Sequence, residues 1–275
     1  GVAVAVNFAI AINSSKNIAL LEGTGGTLRV TGALSVGAVG NTRAYAIIAN
    51  VAVGGVAANV SLAIAVIRSE QEAAVEMPSG TVSAGTVAVT SEQNTTNDTT
   101  GGVFGSFTLT NTGTDDRSVS FTSMAEAFIF SASAGLVSIN ANMAVAVADA
   151  KGTALLDIGN LTAGAIAVTS NGSSIANVVV DNLTIAAVSV GVMLGSAVAA
   201  GEFTAAIVSA GSIAATGSVT VSTDYTSIAD AEIVPAAAGV SVSLVNVGVN
   251  LAIAVARTVA NAYISGSGVR STVDA

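Results

Sequence analysis

The densest charge cluster in the chain is Asp115-Asp116-Arg117. Paired carboxylates beside a cation are the residue types that act as acid and base on a glycan held in a groove. Here they stand in a polar, Thr-rich stretch between candidate strands, where a solvated turn is the preferred reading. Asp149 with Lys151, Asp230 with Glu232, and Glu70, Glu72 and Glu76 are spread along the chain without recurring as a catalytic groove requires. They read as rim charges that blunt lateral aggregation. One acid does recur: Glu22, Glu76 and Asp157 stand at the same offset from three of the repeat starts. Stacked, they would form an acidic ladder able to take Ca²⁺. The Gly- and Asp-rich nonapeptide of calcium-binding β-rolls is absent, however, so no cofactor is expected and structural calcium is the weaker option. Histidine and cysteine are both missing, which removes imidazole and thiolate ligands, disulfides and the commonest general base together. The expectation is a protein that is not an enzyme.

The elements that carry these residues are unusual. Only 9% of the 275 residues are charged and 4% aromatic, while 52% are hydrophobic, so the apolar content is Ala, Val, Ile and Leu set among Gly, Ser and Thr. The net charge of −9 opposes nucleic-acid binding. The tract 234–256 runs without a charge and is long enough for a bilayer-crossing helix. Its Val-rich large–small alternation, with Ser241, Ser243, Asn246 and Asn250, fits strands better, so no membrane span is expected. No export signal stands at Gly1, and the chain reads as a piece of a longer protein.

Five segments line up, starting at Asn7, Ser61, Asn142, Leu194 and Asn250; successive starts differ by 54, 81, 52 and 56. A Ser/Thr-rich block follows each in turn, as in 81–91, 160–170 and 211–223. A third block closes the unit, as in 42–60, 122–142 and 226–250. Repeats of this length indicate stacked units that bury a shared core. The expected fold is all-β: one elongated parallel β-solenoid over 1–275, with about 54 residues per unit and roughly three coils of about 18 residues each. That gives about 15 coils and a rod of about 70 Å. A longer coil of about 27 residues, two to the unit, is the alternative. Strict alternation places Phe8, Ile10 and Ile12, and their counterparts Leu62, Ile64 and Val66, on one face, with Ala9, Ala11, Ala63 and Ala65 on the other. The aliphatic face is expected to form the core. The flat Ala and Gly face is then expected outside, where it would support self-association with flanking repeats or other copies. The copy at Leu194, with Gly195 and Ala197, is expected to be irregular. Asn7, Asn59, Asn142 and Asn250 are expected to stack their amides.

The segments 239–269, 211–223 and 160–170 resemble the long repeats of giant filamentous-haemagglutinin-like bacterial adhesins, including the leukotoxin-type filamentous adhesins. The resemblance covers nearly the whole chain except about 92–121. It implies a right-handed parallel β-solenoid (β-helix) in a secreted, extracellular protein of the bacterial cell surface. The function expected is a structural or adhesive shaft, mediating attachment or self-assembly and possessing a host or cell-surface receptor or glycan as partner. A β-helical carbohydrate-active enzyme or carbohydrate-binding module is the alternative.

The widest spacing, between Ser61 and Asn142, places an inserted arm at about 92–121. Five of the seven Phe lie between Phe104 and Phe130. Alternation in 104–110 and 117–123 suggests two short strands joined by a turn. Phe104, Phe107 and Phe121, with Asp115 and Asp116, form the candidate contact surface if the arm projects; a hairpin folded back over the sheet would cover the rings instead.

Overall fold

The computed structural model describes residues 1–95, 107–108, 120–121, 124–235 and 243–266. The chain is all-β, with no helix among the described residues. Its strands are β1 (Val2–Glu22), β2 (Gly26–Gly40), β3 (Ala44–Val53), β4 (Val56–Gln93), β5 (Phe107–Thr108), β6 (Ser120–Phe121), β7 (Ala125–Ser209), β8 (Ile213–Ala215), β9 (Val219–Pro235) and β10 (Val245–Gly266). Valine, isoleucine and threonine at alternate positions favour the extended backbone throughout. The tract at 234–256 enters β10, and no helix among the described residues is long and apolar enough to cross a membrane.

Pairing in the main sheet is parallel, in the order β1-β4-β7-β10. Val2 pairs Val56 and Glu22 pairs Glu76, so neighbouring rungs stand one whole repeat unit apart. The expected coils, a third or a half of a unit long, are thereby overturned. In coils of a third of a unit, successive blocks would be hydrogen-bonded neighbours. Here they meet through side chains instead. Ala73, Val75 and Met77 pack with Val82, Val87 and Val89, while Ala63, Ala65 and Ile67 pack with Ala44, Ala46 and Ile48. Each unit thus makes one rung in two facing layers, turning near Gly54-Gly55 and near Pro78-Gly80. Five rungs at about 4.8 Å give a stack of only about 24 Å, not a rod of about 70 Å.

The burial polarity is also the reverse of that expected. Ala63, Ala65, Ala144 and Ala146 are fully buried, whereas Phe8 and Ile12 are 67% and 68% exposed. A period of two fixes which residues share a face but not which face is covered. Packing of the legs settles that: Ala63 and Ala65 meet Ala44 and Ala46 in the interior, with Ile67 and Ile48 further along, and the residues between them in each strand turn outward.

Glycine marks the places where backbones crowd. A Cβ on Gly217 would lie 2.7 Å from the Gly164 carbonyl oxygen, and one on Gly85 would lie 2.9 Å from that of Gly32. The fourth copy is regular once shifted by a single position. Leu251 pairs Leu194 and Asn250 pairs Met193, so Leu194 and Val198 point outward while Gly195 and Ala197 point inward.

Candidate contact surface

The outward face is built from the first half of each rung: alternate residues of 2–12, 56–66, 137–147, 188–198 and 245–255. None of these outward positions carries a charge. Ala58, Ala141 and Ser196 are the only small residues among them; the rest are Val, Ile, Leu, Met and Phe. The face persists through the middle of the stack, where Met143 is 36% and Val192 50% exposed. Alternation is what creates it. Each inward Ala that fits the thin interior obliges its neighbours along the strand to face out.

The apolar field ends at a line of charge. Lys16 pairs Glu70 and Glu70 pairs Lys151 in the strand register, and Lys151 reaches Glu202 on the next rung at 3.9 Å. Lys16 Nζ donates to Glu70 Oε1 at 2.9 Å and lies 3.5 Å from Glu72 Oε2. The hydrogen bond to Glu70 raises the Lys16 ammonium above its ordinary value, against a smaller opposing effect of desolvation. Sign alternates from rung to rung, so no like-charged column forms. A shallow groove of about 460 Å³ runs along this line, edged by Lys16, Arg68, Glu70, Asp149 and Lys151. These charges do recur by register. A search for identical residues at matching offsets misses them because the sign inverts at each step.

The other acid ladder is real in register, since Glu22 pairs Glu76 and Glu76 pairs Asp157. No cluster of three acids able to hold a metal forms among the described residues. The four asparagines expected to stack are not one column, because Asn7 aligns with Ser61 and Asn142, whereas Asn59 aligns with Ala5 and Asn140. The amide contact that forms is Asn59 Nδ2 donating to Asn140 Oδ1 at 3.3 Å, inside the molecule. Asn140 also donates to Ser133 and Thr184, so this end of the interior is polar.

A second interior column was not legible in the sequence. Asn17, Gln71 and Gly152 are successive partners in the register, as are Gly40, Gln93 and Gly172. On the next rung Phe203 and Tyr225 stack with centroids 4.5 Å apart, and the fully buried Phe203 ring leans onto both glycines. Large rungs alternate with empty ones, so side chains from one level fill space left at another.

Register brackets the insertion. Gly40 pairs Gln93 and Ala44 pairs Ala125, so 41–43 stand in the first unit where the second has 94–124. Glu92 and Gln93, placed at the start of the arm by sequence spacing, belong to β4. Asn94, with φ at 52°, leaves the strand in a left-handed conformation; its Oδ1 accepts from the Thr42 backbone N–H at 2.7 Å. Phe107 pairs Phe121 antiparallel in β5–β6. Phe104, Asp115 and Asp116 lie outside the described residues. Comparison with family models, with curated proteins and with solved structures finds no match.

Proposed function

We propose that the chain is a stretch of a structural, adhesive shaft: a parallel β-solenoid with one coil per repeat unit, right-handed as parallel crossovers generally are. It would serve attachment or self-assembly at a bacterial cell surface, as its resemblance to filamentous-haemagglutinin-like repeats suggests. The observation carrying this reading is the long in-register pairing at unit spacing, Val2 with Val56 through Glu22 with Glu76, extended to β7. Such a stack grows by adding similar rungs, and length is its product.

Electron microscopy of chains lengthened by whole units tests it. Each added unit should lengthen the stack by about 4.8 Å. A rise of about 14 Å per unit would return the coil to a third of a unit, and a compact particle of fixed length would overturn the shaft. Among the described residues, the rival carbohydrate-active class would act at the groove beside Glu70 and Asp149. Glycan depolymerisation that is lost in Glu70→Gln or Asp149→Asn would defeat the structural reading.

A further inference from the structure

We propose that the outward aliphatic face is a homotypic interface, and that it is covered by the same face of a second copy of this chain. This interface depends on that face alone and forms whether or not the chain is part of an adhesive shaft. It replaces the Ala face, which is buried within each copy.

The face has the size of an interface. Five strands at about 4.8 Å by about eleven steps of about 3.3 Å make a field of about 900 Å². Monomeric soluble proteins rarely expose more than a few hundred Å² of contiguous apolar surface, whereas a standard specific interface covers about 800 Å² on each partner. The field is therefore too large to stand open and matches what one copy contributes to a stable pair.

Its composition selects the partner. The field offers no hydrogen-bonding or charged side chain except Ser196, so a partner bearing polar side chains would lose their hydration without gaining partners. The surface that meets it without such a loss is another flat apolar sheet, packed at about 10 Å with branched side chains interdigitating. The face itself is such a sheet.

Its boundary permits self-pairing. The apolar field ends at the Lys16–Glu70 and Lys151–Glu202 line, where both signs are present in alternation, so two copies brought face to face meet no single-signed rim despite the net charge of −9.

Because the chain has no cysteine, one can be placed at will. Val145→Cys sits outward on the central rung and Ala146→Cys inward beside it. Sedimentation of the whole chain at micromolar concentration should show a dimer, and oxidation should cross-link Val145→Cys at least tenfold more than Ala146→Cys. The triple variant Ile64→Thr, Val145→Thr, Val192→Thr keeps the branched shape and strand preference while removing apolar contact. It should be folded by circular dichroism and monomeric at the same concentration. A wild-type chain that stays monomeric, a dimer that survives the triple substitution, or equal cross-linking at both cysteines overturns the proposal. Flotation of a monomeric wild-type chain with phosphatidylcholine–phosphatidylglycerol vesicles overturns it in favour of a lipid partner.

Discussion

Replacing Gly152 with Ala should damage this protein through Phe203, a residue distant in sequence and one rung away in space. The new Cβ would lie 2.6 Å from Phe203 Cδ1, 2.7 Å from Cε1 and 2.8 Å from Ser170 Oγ, all within normal contact distance. Phe203 cannot retreat freely, since it is fully buried, stacked on Tyr225 and in contact with Gly172. Overpacking of this kind costs about 1–3 kcal/mol, set against about 0.5–1 kcal/mol gained from Ala over Gly in an extended backbone. Truncating the ring, Phe203→Ala, should cost about 3–5 kcal/mol from lost burial and the cavity left behind. In the double variant the methyl enters that cavity, so the total should fall short of the sum by about 1–2 kcal/mol. Urea denaturation of the four proteins measures the cycle. Strict additivity would mean that neighbouring rungs do not share this space, and the interior column would be wrong.

Ala65→Leu should lower stability by about 1–3 kcal/mol, because Ala65 is fully buried in the thin interior, while Ile64→Thr next to it should leave the isolated chain nearly unchanged. The opposite order in a thermal melt would restore the expected aliphatic core. Burial raises the Asp230 and Asp181 carboxyls above their ordinary value, against smaller lowering effects from backbone hydrogen bonds. Their ionised forms therefore weaken the fold at neutral pH, and the penalty disappears as pH falls through the raised values toward the ordinary one. Asp230→Asn should accordingly raise the melting temperature at pH 7, with the difference from wild type vanishing below the ordinary carboxyl range; a lower melting temperature at pH 7 would refute it. Replacing 94–124 by the Asn41-Thr42-Arg43 bridge of the preceding unit should keep the circular dichroism and melting of the sheet, since Gln93 and Ala125 already align with Gly40 and Ala44. Loss of the sheet signal would show that the insertion holds the stack together.

The sequence by itself determined the strand character, the unit length and the pairs of residues that share a face. Val2 to Glu22 and Val56 to Glu76 are similar enough that only one parallel register satisfies both, and their spacing is the rung spacing seen in the sheet. Spacing also pointed to extra chain in the second unit, because an excursion leaves the flanking register displaced by a fixed amount; in the sheet, 94–124 stand where the first unit has 41–43. Alternation is symmetric, however, and says nothing about which face is covered. That choice is made only when two legs pack against each other in the folded unit, where Ala63 and Ala65 meet Ala44 and Ala46. The length of a coil was equally hidden, since three blocks of a unit look alike whether they are bonded edge to edge or packed side chain to side chain. Charge partners such as Lys151 and Glu202, and the fit of Phe203 into the space above Gly152, arise only when rungs are superposed, because each residue is defined by what stands one level away.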